Sequence, residues 1–293
     1  VTFSRVAVIY NPSSGRPRER SRSVERFSAL LRSSGLAVDI LPTQRPAHAT
    51  ELAREAVAHG CDLVVANGGD GTMNEVLQAL VGTNATLGFW PGGTANLLAH
   101  EIHFPSDVNE VARRILAGQV KRVTVGKANQ RYFLLMAGIG VDAAVARGVD
   151  PRLKHNIGKA AFAVSAAGFM WRWDLSPFRV YLPDEEALGR FVVAGNARSY
   201  GGGLRLTPRA DLTDPYLDIC IFDSAFRMDY LRYALGAVFG AHQNMPGVTY
   251  RKVKWARIVS AAPENAPLQL DGEVVGTLPV QLEALPEGVK LLV

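Results

Sequence analysis

Six consecutive residues, Asn67-Gly68-Gly69-Asp70-Gly71-Thr72, carry the most chemistry per unit length in this chain. An apolar run, Asp62-Leu-Val-Val-Ala, leads into them, and Met73-Asn-Glu-Val-Leu-Gln-Ala-Leu80 follows at helical spacing. The pattern predicts a strand, a glycine turn and an amphipathic helix. Glycines permit positive φ and remove side chains that would hold a ligand away from the backbone. The amides that open the following helix then face a concave loop, which suits phosphate. Asp70 adds a carboxylate where an anion should bind. A bridging Mg²⁺ removes that conflict, because hard oxygen ligands from both sides can share it.

Such a loop needs a frame, and the flanking sequence supplies one. Arg5-Val-Ala-Val-Ile-Tyr10 reads as a buried first strand that runs into Asn11-Pro12-Ser13-Ser14-Gly15. A helix with Val24, Phe27, Leu30 and Leu31 on one face follows and stops at Gly35. Val38-Asp-Ile-Leu41 is a second strand with Thr43 just beyond it. After a helix from His48 to His59 and the central unit, Thr86-Leu-Gly-Phe-Trp90 ends in Pro91-Gly92-Gly93-Thr94-Ala95-Asn96. Strands alternating with helices predict a doubly wound parallel sheet over residues 1–125. Ligands of such sheets bind outside the carboxyl ends of the strands. Four polar or glycine-rich sites fall at four successive strand ends, a coincidence best explained by a phosphorylated ligand.

Beyond Gly126 the pattern changes. Residues 131–136, 178–182, 190–194, 216–222 and 248–259 read as strands, with helices at about 157–172 and 227–240. An α/β chain with a β-rich second domain over 126–279 follows. The apolar end at 288–293 leaves open whether 280–293 completes the first domain.

Composition narrows the class. Of 293 residues, 48% are hydrophobic and 20% charged, the balance of a globular protein. Residues 157–173 come nearest to a membrane span, but Lys159 and Arg172 interrupt them. No apolar signal-peptide core stands near the start, and Cys61 and Cys220 lack metal-ligand spacing. A cytoplasmic protein with reduced core cysteines is expected. Net charge is +5, from 32 basic and 27 acidic residues, too mild to imply nucleic acid. Basic residues cluster at Arg16, Arg18, Arg20, Arg22 and Arg26, and again at Arg251, Lys252, Lys254 and Arg257. These are solvated faces or surfaces that meet phosphates and anionic lipid.

No Walker-type loop is present, since Gly126-Lys127 and Gly158-Lys159 lack the following Ser/Thr and the upstream glycine. No Gly-x-Gly-x-x-Gly opens the first helix. The motifs that are present, Asn11-Pro-Ser-Ser-Gly15, Gly68-Gly-Asp-Gly-Thr72, Pro91-Gly-Gly-Thr-Ala-Asn96 and Leu268-Gln-Leu-Asp-Gly-Glu273, resemble the diacylglycerol-kinase catalytic family. The bacterial soluble lipid kinases look closest, and sphingosine and ceramide kinases are relatives. The resemblance spans nearly the whole chain. It implies ATP and Mg²⁺ in a cleft between an α/β domain and a β-sandwich-like domain. Asn11, Pro12, Ser13, Ser14, Gly15, Thr43, Gly68, Gly69, Gly71, Thr72, Asn74 and Thr94 would line the nucleotide beside catalytic Asp70. Asp271 would be the general base that takes the proton from a lipid hydroxyl, with Glu273 close to the metal and phosphates. As a turn residue before Gly272, Asp271 should project from the rim of its domain, and Glu273 could take its role if the turn rotates.

Ala210-Asp-Leu-Thr-Asp-Pro-Tyr-Leu-Asp218 resembles a family segment that holds a second, structural Mg²⁺. Asp214 and the carbonyls of Asp211 and Tyr216 would be the ligands. The family has glycine where this chain has Pro215, whose fixed φ alters the loop path. The expected reaction is transfer of the γ-phosphate of ATP to a lipid hydroxyl, carried out by a peripheral protein on an anionic membrane; a homodimer is compatible with it. An NAD kinase and a non-catalytic nucleotide-sensing module are the alternatives. Diacylglycerol, a sphingoid base, ceramide and phosphatidylglycerol all remain open as acceptor. Phe162, Phe169, Met170, Trp171 and Trp173 are candidates for its wall, or are core.

Overall fold

Short β-branched runs alternating with amphipathic helices build the first unit of the computed structural model, which describes residues 2–12, 17–140, 176–200, 204–261 and 266–293. The chain divides into one unit of Val1–Val125 with Pro286–Val293 and another of Gly126–Leu285. In the first, β1 (Arg5–Tyr10), β2 (Ala37–Pro42), β3 (Leu63–Gly68) and β4 (Thr86–Pro91) are all parallel, in the order β2-β1-β3-β4. The helices are α1 (Pro17–Ser33), α2 (His48–Ala58), α3 (Asp70–Leu80), α4 (Leu97–Glu101) and α5 (Val108–Ala117). Strands β3 and β4 are buried along their whole length, as parallel strands covered on both faces must be. Val24, Phe27 and Leu31 bury the expected face of α1, and the Phe27 ring lies 4.5 Å from that of Trp90. The end of the chain adds a further parallel edge, with Lys290 and Leu291 beside Thr86 and Leu87.

The second unit is β-rich. Its strands are β5 (Val120–Ala128, shared with the first unit), β6 (Arg131–Phe133), β7 (Met136–Ile139), β8 (Phe178–Tyr181), β9 (Glu186–Gly189), β10 (Phe191–Gly195), β11 (Leu217–Phe222), β12 (Val248–Val253), β13 (Trp255–Ser260), β14 (Pro267–Leu270), β15 (Glu273–Thr277) and β16 (Val280–Leu292). One antiparallel sheet runs β12-β11-β10-β7-β14-β15, and β13 pairs with β8 and with the start of β16 in another. Period-2 alternation decides what each face does. Ile219 and Ile221 point into a sandwich core with Phe178, Val180, Ile258, Val280 and Leu282. Cys220 and Phe222 point the other way, onto Tyr230, Tyr233 and Ala237 of α6 (Arg227–Val238).

Two expected strands are each broken in two. Residues 131–136 split into β6 and β7 because side chains from elsewhere take the backbone of 134–136, as described below. Residues 248–259 split at Lys254, where the chain leaves one sheet at β12 and joins the other at β13. The expected helix at 157–172 and the acceptor-wall residues Phe162, Phe169, Met170, Trp171 and Trp173 lie outside the described residues.

Candidate active site

Parallel pairing puts the four polar strand ends on one edge, and hydrogen bonds tie neighbours together. The Thr43 amide donates to Tyr10 O over 2.9 Å, and the Gly92 amide donates to Gly68 O over 2.7 Å. Asn11 and Pro12 are half-buried at the end of β1; Ser13, Ser14 and Gly15 lie outside the described residues.

The glycines serve close approach, not unusual φ. Gly68, Gly69, Gly71, Gly92 and Gly93 are absent from the positive-φ glycines, which corrects half of the reason given for them above. A Cβ on Gly93 would lie 2.5 Å from Gly69 Cα, and one on Gly68 would lie 2.5 Å from Thr72 Oγ1. Real Cβ atoms do not approach backbone that closely, so two main-chain segments meet here with no side chain between them. Gly69 is the extended N-cap of α3, and Met73 N donates to its carbonyl over 3.2 Å. Asp70, Gly71 and Thr72 therefore form the first turn of α3, where amides point outward and the helix dipole favours an anion. Asp70 Oδ1 is withdrawn from solvent. Thr94 is exposed in the 92–96 loop, which Asn96 closes: Gly93 N donates to its Oδ1 at 2.9 Å and its Nδ2 donates to Gly93 O at 2.8 Å.

Asn74 follows Asp70 by one turn of α3. It is buried in α3 and its Oδ1 accepts from Gln78 Nε2 at 3.0 Å.

Three residues to which sequence reasoning assigned no individual role shape the edge. Arg20, counted above only as part of a basic cluster, turns inward from α1: Nη1 donates to Asn67 Oδ1 at 3.2 Å and Nη2 to Gly92 O at 2.7 Å. Burial pulls its guanidinium below its ordinary value, yet an arginine keeps its charge in proteins. Asn67 is buried at the end of β3, where its Nδ2 also donates to Trp90 O. A polar residue closing an otherwise apolar buried strand was the available signal. Glu75 reaches across from α3 and accepts the Ala47 and Ala49 amides at 2.9 and 3.0 Å, fixing the turn that follows Thr43.

In the second unit, Asp271 departs from the rim position expected of it. It is 5% exposed with φ 48°, and its carboxylate accepts three amides, Leu134 N, Leu135 N and Met136 N, each at 2.9 Å. Asn196 takes the other side of the same segment, its Nδ2 donating to Leu134 O at 2.9 Å. These bonds are why the run 131–136 cannot continue as one strand. They also occupy three of the roughly four acceptor positions of a carboxylate. Glu273, two residues on, opens β15 and is exposed.

The loop expected to hold a structural Mg²⁺ comes together around an ammonium. Lys252 Nζ contacts Asp214 Oδ2 and lies 3.9 Å from Asp218 Oδ2, while Tyr250 donates to Asp218 Oδ1 at 2.8 Å. The Asp211 carboxylate accepts the amide and hydroxyl of Thr213, and its carbonyl accepts the Asp214 amide. Burial pushes the carboxyl of Asp218 above its ordinary value, against the opposing pull of Tyr250 and Lys252. Tyr216 carries Lys254 over its ring. In this structure the expected ligand Asp214 is therefore paired with Lys252. Among the described residues no group of three or more His, Cys, Asp or Glu side chains is arranged to hold a metal.

The comparisons with known proteins agree with this architecture. Residues 5–128 match the diacylglycerol kinase catalytic domain, and residues 136–293 match the YegS C-terminal NAD kinase beta sandwich-like domain. A diacylglycerol kinase of Bacillus subtilis is 30% identical, covering 94% of this chain and 92% of its own. One from Staphylococcus saprophyticus is 29% identical over 94% and 90%. A solved diacylglycerol kinase structure from Bacillus anthracis superposes with a TM-score of 0.80 at 26% identity, over 100% of this chain and 98% of that one. With motifs, fold and relatives in agreement over both units, this chain belongs to the diacylglycerol kinase family.

Proposed function

We propose that this chain is an ATP-dependent lipid kinase that moves the γ-phosphate of ATP to a lipid hydroxyl. The observation that carries the reading is the bare backbone meeting of Gly69 and Gly93 at the mouth of α3, with Arg20 beside it. Phosphoryl transfer depends mostly on positioning and charge neutralisation, which amides, a hydroxyl and one guanidinium supply. The amides of Asp70 to Thr72 would take phosphate oxygens, and Thr43, Thr94 and Asn11 would border the nucleotide. Asp70 would hold the Mg²⁺ that accompanies ATP, and that ion supplies neutralisation of charge developing on the phosphates.

Within the Asp271-Gly272-Glu273 turn we assign different work to the two carboxylates. Asp271 holds the 134–136 backbone, and its oxygens are committed to amides. Glu273 is the carboxylate of this turn that reaches solvent, so it is the better acceptor for the proton of a lipid hydroxyl.

The test is incubation with labelled ATP and separate pools of lipid acceptors and NAD. Label in a lipid supports the reading, and the lipid that takes it names the acceptor. Label in NAD alone, or in neither pool, overturns it. The NAD pool is included because the C-terminal match is to an NAD kinase beta sandwich-like domain.

A further inference from the structure

We propose that the outward face of α6 is the surface by which this chain docks on an anionic bilayer. The inference rests on the lipid-kinase reading above and deepens it by naming where the substrate's environment is met.

Helix α6 is apolar on two opposite faces. Tyr230, Tyr233 and Ala237 are buried against the sheet, as their i, i+3, i+7 spacing requires. Met228, Leu231, Leu235 and Val238 repeat that spacing on the other side, and they are 60%, 42%, 62% and 47% exposed. Phe226 and Phe239, at the two ends, are 74% and 84% exposed. At roughly 100° per residue, the stripe formed by 228, 231, 235, 238 and 239 is about 100° wide. Arg227 falls about 20° beyond one border and Arg232 about 20° beyond the other. Single exposed apolar residues are ordinary on a protein surface, but a continuous stripe with an aromatic end, beside a second exposed phenylalanine at the N-cap, is not.

The helix is held firmly, so its outer face is a built surface. Tyr230 Oη donates to Ser224 O at 3.0 Å and Tyr233 Oη to Pro246 O at 2.9 Å. A Cβ on Gly236 would lie 2.6 Å from Met245 Cε, which shows how closely the helix sits on its neighbours.

Charge chooses the occupant. Arg227 and Arg232 flank the stripe, and exposed Arg205 joins the last turn through its amide, which donates to Ala237 O at 2.9 Å. The helix's one acid, Asp229, is tied to Arg232 at 3.0 Å and to Ser224 Oγ at 2.6 Å. An apolar strip bordered by arginines is what an interfacial helix presents to anionic headgroups. A second copy fits less well, because a two-fold contact between identical stripes would bring the arginines of both copies together. In the basic run at 251–257 Arg251 is likewise paired with Glu185, and Lys252 with Asp214 and Asp218. Among its described residues, however, the exposed large apolar side chain is Trp255 alone, so no apolar stripe accompanies its charge. No described helix is long and apolar enough to cross a membrane, so for this part of the chain contact is made from the surface.

The test is sedimentation of the whole chain with phosphatidylglycerol–phosphatidylcholine vesicles, without ATP. The wild type and a Phe226→Ser, Leu235→Ser, Phe239→Ser variant are compared at low and high salt. Turnover of a short-chain, monomerically soluble diacylglycerol is followed separately. The expected result is at least a tenfold loss of vesicle partitioning in the variant, with soluble-acceptor turnover and melting temperature within error of the wild type. High salt should weaken wild-type binding several-fold without abolishing it, since the apolar part remains. Unchanged partitioning in the triple variant overturns the proposal. So does a wild-type dimer that the substitutions convert to monomers while vesicle binding persists, for the stripe then belongs to a second copy. If no acceptor is phosphorylated but partitioning still depends on the stripe, the kinase reading fails and the docking surface stands.

Discussion

The strand-end edge of the first unit and the Asp271 turn of the second solve opposite problems. At the edge, glycines clear away side chains so that two stretches of main chain, Gly69 and Gly93, approach each other and leave amides facing outward. At the turn, a side chain is drawn inward to satisfy main chain: the Asp271 carboxylate accepts the amides of Leu134, Leu135 and Met136. Both motifs contain Asp-Gly, and both read as polar loops. Asp70 begins a helix at a strand end, where the helix dipole and outward amides invite an anion. Asp271 is enclosed by a backbone segment with donors of its own. On the function proposed above, the same dipeptide serves a ligand in one place and the fold in the other.

The largest expected effect breaks the first half of that comparison. Asp70→Ala should lower kcat by on the order of 10³-fold in a steady-state lipid phosphorylation assay, with an unchanged circular dichroism spectrum. Near-normal turnover in the folded variant would leave the glycine edge without its proposed metal partner.

The second half is sharpened by a matched pair. Asp271→Asn replaces one acceptor oxygen with a donor aimed at the Leu134 amide, so it should cost about 2–3 kcal/mol of stability. Glu273→Gln should leave the melting temperature alone and lower kcat by about 10²–10⁴-fold, the usual range for a general base. Denaturant unfolding and turnover measured on both variants would separate the roles. A stable, inactive Asp271→Asn beside an active Glu273→Gln would return the base to Asp271.

The smallest effect concerns pH. His242 is fully buried, its Nε2 lies 3.0 Å from Leu206 O, and its Nδ1 is buried with no hydrogen-bond partner among the described residues. Burial holds its imidazole below the ordinary value, against the carbonyl's opposing pull. The unfolded chain therefore binds the proton more readily than the folded one. The stability this residue contributes is complete above the unfolded value, about 6.5, and falls as the pH drops through it toward the folded value. Thermal melts between pH 7.5 and 5 should show that loss, and His242→Gln should flatten it. An equal slope in both proteins would remove His242 as the cause.

Much of this was legible from residue types. The strand–glycine–helix alternation, the parallel sheet and the edge carrying Thr43, Gly68 to Thr72 and Thr94 all follow from local periodicity and turn chemistry. The matching family and fold agree with the resemblance carried by the four motifs. Contacts between residues far apart in sequence were not legible. Arg20 reads as one arginine among five until Asn67, 47 positions away, is seen to accept from it. Asp271 reads as a turn residue because the amides that enclose it lie more than a hundred positions upstream. Asp214 reads as a loop aspartate with no near partner until Lys252 arrives from β12. Each is a polar group whose partner is fixed by topology, and no local pattern carries that information.

The most direct test of the central claim is the affinity of Gly93→Ala for ATP with Mg²⁺, measured by titration calorimetry beside the wild type. Gly276→Ala serves as a control, since a Cβ at Gly276 meets nothing within 4 Å. If the bare meeting of Gly69 and Gly93 builds the phosphate site, a methyl group there forces the loops apart and the dissociation constant should rise at least tenfold, about 1.4 kcal/mol. Melting temperatures should remain close to the wild type, and Gly276→Ala should bind as the wild type does. Undiminished ATP binding by a folded Gly93→Ala would contradict the account, because the nucleotide would then be held somewhere other than the edge described.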